Sequence, residues 1–159
     1  MILIAHRGNV NGSQPENENN LEYIKQAMEA GYSVEIDVWK INGKFFLGHD
    51  TPDHEVSLQF LTNHSNQVMV NVGEPELFCH AKNLDALEAM LACGIHCFWH
   101  EEDDFTLTSN NKIWTYPNKD ATKKSIVVCN TLEECIKYID QGVYGVCSDY
   151  VGNITTGDR

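Results

Sequence analysis

A chain of 159 residues holds one domain, read here as 1–159, and leaves little room for a second. Hydrophobic residues make up 42% of it, a globular composition that excludes a disordered tail. The 23 acidic residues outnumber the 11 Lys and Arg, for a formal net charge of −12, and such a field opposes nucleic acid and anionic membrane as partners.

The chain opens on the apolar run Ile2–Ala5, which reads as a buried strand and is too short for a signal-peptide core. A helix follows from Asn20 to Gly31. Asn20 is an N-cap residue, Glu22 suits the positive end of the helix dipole, Leu21, Ile24 and Met28 share one face, and the glycine ends it. Strands are expected at Val34–Val38, Phe45–Leu47 and Leu77–Ala81. The cap–acid–glycine pattern then returns at the same interval, from Asn83 to Gly94, and a strand at Ile95–Trp99 comes next. The polar stretch Glu101–Lys124 lacks a helical pattern and reads as long loops around a strand at Ile113–Tyr116. A strand at Ile126–Cys129, a third helix from Thr131 to Gly142 and a strand at Val143–Cys147 complete the chain. Strands alternating with helices imply right-handed crossovers and a mainly parallel sheet, either open or closed into a compact barrel.

No apolar run approaches the ~20 residues of a membrane span. The six cysteines form no C-x-x-C pair and read as small, buried, reduced side chains, so a cytoplasmic protein is expected.

Ionisable residues gather where the predicted strands end: His6-Arg7-Gly8, Glu35-x-Asp37, Gly48-His49-Asp50, His80-x-Lys82, His100-Glu101-Glu102 and Ser148-Asp149. Ligand sites of parallel α/β folds lie at the carboxyl ends of strands. Glu35 and Asp37 are two apart, so on a strand they point to one side, and two close carboxylates call for a cation between them. A hard divalent ion supplies one; facing solvent on an edge strand, or pairing with Arg7 and Lys82, would also relieve them. His6 and His49 are candidate proton-transfer groups, although a histidine at a strand end also serves as a structural hydrogen-bonder. Two imidazoles, two carboxylates and nearby cations suit metal-assisted hydrolysis, phosphodiester cleavage among its forms.

The four motifs His6-Arg7-Gly8, Pro15-Glu16-Asn17, Glu35-Ile36-Asp37-Val38 and Gly48-His49-Asp50, in this order and spacing, resemble the signature of the glycerophosphodiester phosphodiesterase family. Trp114-Thr115-Tyr116 and Gly145-Val146-Cys147-Ser148-Asp149 are more loosely similar to its last strands. The resemblance implies a small, trimmed TIM-type (β/α) barrel with several helices missing or replaced by loops. It also implies His6 and His49 as the acid–base pair and Arg7 as a phosphate contact, with Lys82 beside it. Glu35 and Asp37 become metal ligands, and one histidine deprotonates a substrate hydroxyl that attacks phosphorus to give a cyclic phosphate.

Two departures stand out. Where the family offers Glu-x-Lys, this chain has His80-Ala81-Lys82, so the third metal ligand is His80 or absent. An imidazole suits Ca²⁺ poorly, and Mg²⁺ is expected ahead of Ca²⁺ or Mn²⁺. The chain is also short, and the substrate pocket of the family does not carry over. Glu16 supports the site from behind its ligands or shapes the loop before the first helix, while Trp99, Trp114 and Tyr116 are core or ligand-stacking residues. The sequence thus points to hydrolysis of a small phosphodiester. The alternative is a non-catalytic module binding a phosphorylated or saccharide ligand on the same barrel. A homodimer covering faces bared by missing helices stays open, with no residue marking it.

Overall fold

The computed structural model describes residues 1–66 and 75–155. Its elements run β1 (Ile2–His6), α1 (Leu21–Glu29), β2 (Ser33–Ile41), β3 (Lys44–Leu47), β4 (His54–Val56), α2 (Leu58–Asn66), β5 (Leu77–Ala81), α3 (Leu84–Ala92), β6 (Cys97–Trp99), β7 (Phe105–Leu107), β8 (Ile113–Thr115), β9 (Ser125–Cys129), α4 (Leu132–Asp140) and β10 (Gly145–Ser148). The three expected helices begin at their expected caps. The side chains of Asn20, Asn83 and Thr131 accept from the backbone N–H of Glu22, Ala86 and Glu134. Gly31, Gly94 and Gly142 follow with φ of +92°, +66° and +73°, the left-handed turn that stops each helix.

A parallel set runs β6-β5-β2-β1-β10-β9-β8, with first and last strands adjacent at β1–β10. This is the cyclic order of a βα barrel. The hairpin strands β3 and β4 extend β2 antiparallel, and β7 pairs antiparallel with β8. No ladder joins β6 to β7 or β8 among the described residues, so the expected barrel is corrected to an open, curled sheet. The physical reason lies in the edges. β6 and β7 are three residues each, and the gap is spanned by Ser109 N–H donating to the Cys97 carbonyl and Cys97 N–H donating to Ser109 Oγ.

Side-chain alternation divides the sheet into two apolar layers. Its concave side is filled by Ile2, Ile4, Phe78, Phe98, Trp114, Ile126 and Cys147, with the Trp114 ring stacked 4.2 Å from Phe98. The other side packs on the helices through residues such as Val34, Ile36, Ile24, Ala86, Met90 and Cys135. Helices cover the strands from β1 to β6 and again between β9 and β10, whereas β6 to β9 are connected by the β7 hairpin and loops. Five of the cysteines are buried, as expected, and Cys93 is exposed at the end of α3. No helix among the described residues is long and apolar enough to cross a membrane.

Candidate active site

The apolar concave layer ends one step short of the strand carboxyl termini. Continuing the same alternation, Ile2 and Ile4 lead to His6, Phe78 to His80 and Lys82, Phe98 to His100, and Cys147 to Asp149. The parity that buries the apolar residues therefore aims the next ones into a cavity of about 460 Å³ at the mouth of the sheet. Its lining includes His6, Arg7, Glu35, His49, His80 and Lys82. Six of the seven residues singled out from the sequence thus line one cavity, and Asp37, the seventh, touches four of them.

Glu35 and Asp37 sit on the buried part of β2 and are 2% and 1% exposed. Asp37 Oδ2 lies 3.1 Å from Arg7 Nε and 3.4 Å from His49 Nδ1, and it accepts from Asn19 Nδ2 at 3.0 Å. Asp37 Oδ1 lies 3.1 Å from His80 Nδ1 and 3.4 Å from Lys82 Nζ. Burial pushes the Asp37 carboxyl up, but contact with His49 and His80 and the charge of Arg7 outweigh it and hold it well below the usual range. Glu35 has weaker neighbours, His6 Nε2 at 3.9 Å and His80 Nδ1 at 3.8 Å. Burial, reinforced by the charge of Asp37, raises its carboxyl. Of this close pair, Asp37 is the one held more firmly in its ionised form.

His6 continues β1 and meets the residue that continues β10. Its Nδ1 donates to Asp149 Oδ1 at 2.9 Å, which leaves Nε2 facing Glu35 and the cavity. Burial works against a charged ring, yet the hydrogen bond to Asp149 and the charge of Glu35 prevail, and the net shift is upward. Arg7 and Gly8 both have positive φ, +55° and +95°, so the chain turns sharply over the end of β1. A side chain at position 8 would meet the Tyr23 ring at 2.8 Å. Folded back in this way, the Arg7 guanidinium bridges Asp37, Glu18 (Nη1–Oε2 3.1 Å) and His49 (Nη2–Nε2 3.4 Å).

The site also offers the converging donors that a divalent cation needs. One atom each from Glu35, Asp37 and His80 lie within 4.8 Å of one another. Glu35 Oε2 is buried without a hydrogen-bond partner, which is costly unless a cation satisfies it, and Asp37 Oδ1 makes no hydrogen bond but has His80 Nδ1 and Lys82 Nζ as ion-pair neighbours. Two carboxylates and an imidazole fit such an ion.

The sequence reading left out part of the support. Glu18, not the exposed Glu16, holds Arg7. Buried Asn9 donates to both Glu18 and Asp149, and Asn19 clamps Asp37 by two hydrogen bonds. Asp149 was visible as the polar end of the last strand. Glu18, Asn9 and Asn19 lie in turns whose register has no periodic signal. Among the aromatics, Trp114 is core at the cavity floor, whereas Tyr116 is 45% exposed and stacks on His100.

A crystal structure of a provisionally named glycerophosphoryl diester phosphodiesterase from Silicibacter pomeroyi DSS-3 matches with a TM-score of 0.58, over 96% of this chain and 90% of that one, at 14% identity. The two share a fold. No family model matches the chain, and no curated protein is similar to it in sequence.

Proposed function

We propose that this chain is a metal-dependent phosphodiesterase acting on a small, glycerophosphodiester-like substrate. The observation that carries the reading is the arrangement of two imidazoles around one carboxylate pair. His6 Nε2 approaches Glu35 at 3.9 Å and His49 Nδ1 approaches Asp37 at 3.4 Å, with Arg7 between them. The phosphodiesterase name of the Silicibacter protein with the same fold supports it, as does the motif resemblance.

The two histidines are biased toward different roles. The Arg7 Nη2–H donates to His49 Nε2, which marks that nitrogen as the unprotonated one; once Arg7 turns to a phosphoryl oxygen, its lone pair accepts a proton from a substrate hydroxyl. His6 is the proton donor to the leaving oxygen. Asp149 holds its Nδ1–H and favours the charged ring, which leaves an Nε2 proton to give. Arg7 and Lys82 bind the phosphoryl oxygens and offset the acidic surface. A divalent ion held by Glu35, Asp37 and His80, Mg²⁺ on the oxygen donors alone, would neutralise charge developing on those oxygens. Attack by a neighbouring hydroxyl of the substrate forms a cyclic phosphate. Water then opens it with the two histidines in reversed roles.

A panel of glycerophosphodiesters and other small phosphodiesters tests this, with product identified by ³¹P NMR. Turnover that a chelator stops and a divalent ion restores is the expected result. One feature favours the non-catalytic alternative: Arg7 and Lys82 already neutralise Asp37 at 3.1 and 3.4 Å. A protein that binds phosphorylated or saccharide ligands but no divalent ion, and turns nothing over, would follow that alternative.

A further inference from the structure

We propose that the Glu35–Asp37–His80 site selects a borderline first-row ion such as Mn²⁺, Co²⁺ or Zn²⁺ over Mg²⁺ and Ca²⁺, with His80 as the selecting ligand. The inference rests on the metal-dependent reading above and deepens it. It also revises the Mg²⁺ expectation, which weighed the imidazole only against Ca²⁺.

The tautomer of His80 is the first observation. Its Nε2 lies 2.8 Å from the His100 carbonyl oxygen, and a carbonyl only accepts, so Nε2 carries the hydrogen. In the neutral ring the lone pair is then on Nδ1. That atom faces Asp37 Oδ1 at 3.1 Å and Glu35 Oε1 at 3.8 Å. Lone pair and carboxylate oxygens repel one another unless a proton or a metal ion lies between them.

The second observation is how firmly the ring is held. It stacks on Phe98 with an interplanar angle of 7° and a centroid distance of 5.0 Å. The residue that supplies the carbonyl is itself tied down, because His100 Nε2 donates to the Asp103 carbonyl and its ring stacks on Tyr116. A metal-binding histidine gains basicity and a fixed direction when its other nitrogen donates to a carbonyl, and His80 has that arrangement already built. The third observation is the buried Glu35 Oε2 without a hydrogen bond, beside Asp37 Oδ1, which makes none and is faced by Lys82 Nζ at 3.4 Å.

Donor chemistry then decides the class of ion. Mg²⁺ and Ca²⁺ are held by oxygen, and a nitrogen in their shell displaces a better ligand. Affinity for imidazole rises along the first transition row, so a prealigned nitrogen raises binding of Mn²⁺, Co²⁺ and Zn²⁺ and does little for Mg²⁺.

The test is metal binding by the full chain without substrate. Co²⁺ and Mg²⁺ affinities are measured by calorimetric competition, with Co²⁺ followed also by its visible spectrum. Oxygen sites too prefer Co²⁺ to Mg²⁺, so the decisive quantity is the change in the ratio. His80→Glu is expected to lower the Co²⁺/Mg²⁺ ratio by about tenfold or more. His80→Gln, which adds no buried charge, is expected to lower it in the same direction. The wild-type Co²⁺ form should show a paramagnetically shifted, exchange-protected imidazole N–H that both variants lack. An unchanged ratio in folded variants, absence of that resonance, or failure of the wild type to bind any divalent ion overturns the inference. Because no turnover is read, the two proposals fail separately. Selective Co²⁺ binding without hydrolysis would sink the phosphodiesterase reading alone, and metal-dependent hydrolysis with an unchanged ratio would sink this one alone.

Discussion

His6 Nδ1 and Asp149 Oδ1 lie 2.9 Å apart across the seam where the first strand of the chain pairs with the last. The register of that seam, Ala5 opposite Ser148, puts the next residue of each strand side by side at the cavity mouth. Chain ends remote in sequence thereby build one proton-transfer unit, and Asn9 Nδ2 braces it by donating to the same Asp149 oxygen.

Asp149→Asn keeps the volume and removes the charge. The amide no longer favours a protonated His6 and can present its own hydrogens to Nδ1. The turnover of a small phosphodiester is expected to fall by about 10²-fold or more, while the melting temperature changes little. Steady-state kinetics beside a thermal melt checks this, and an unchanged kcat would remove Asp149 from the mechanism.

Gly48 sets the direction of His49. Its φ is +151°, and a Cβ there would meet the Thr51 carbonyl oxygen at 1.9 Å and an Asp53 carboxylate oxygen at 3.0 Å. Gly48→Ala must open the turn after β3. The cost is expected to be about 1–3 kcal/mol in chemical denaturation, with His49-dependent activity lost alongside. A variant as stable and active as wild type would show that the turn is not held as described.

His96 gives the folded state an acid sensitivity far from the cavity chemistry. It is buried against Phe78, with ring centroids 4.5 Å apart, and burial lowers it from the ordinary 6.5 to about 4 despite opposing contacts with Asn110 and the Leu77 backbone. The neutral ring is the one that folds. Its contribution is therefore whole above pH 6.5 and is lost as pH falls from 6.5 toward 4, by about 3 kcal/mol in total. Urea unfolding at stepped pH is expected to show a flatter decline over that window in His96→Leu than in wild type. Parallel curves would contradict the assignment.

Much of this site was legible because β-strand alternation carries information past the end of each strand. Ile2, Ile4 and His6, or Phe78, His80 and Lys82, keep one parity from core to cavity, and the hydrophobic pattern fixes it. The helices starting at Asn20, Asn83 and Thr131 were legible for a similar local reason, since a cap and a stop glycine bracket each one. Helix α2 has only half of such a bracket: Ser57 Oγ accepts from the Phe60 N–H, but no acid stands in its first turn and no glycine closes it. The short strands β4 and β7 lie in polar loops, and their pairing with β3 and β8 is set by the partner strand. The missing closure was hidden as well. It depends on how far Cys97 stands from β8 in space, which no run of residues encodes. Glu18 rather than Glu16 supports the site, because a tight turn over residues 15–19 decides which carboxylate points inward.

The central claim is that His6 and His49 move protons at a phosphodiester bound over Glu35 and Asp37. Its most direct test is the initial rate of metal-supported hydrolysis of the best substrate in the phosphodiester panel, for wild type, His6→Ala and His49→Ala, each shown to be folded. A measurable wild-type rate, with either substitution lowering it by about 10²–10⁴-fold, is the predicted result. Variants that match wild type, or a wild-type protein that hydrolyses no phosphodiester with any divalent ion, would contradict it.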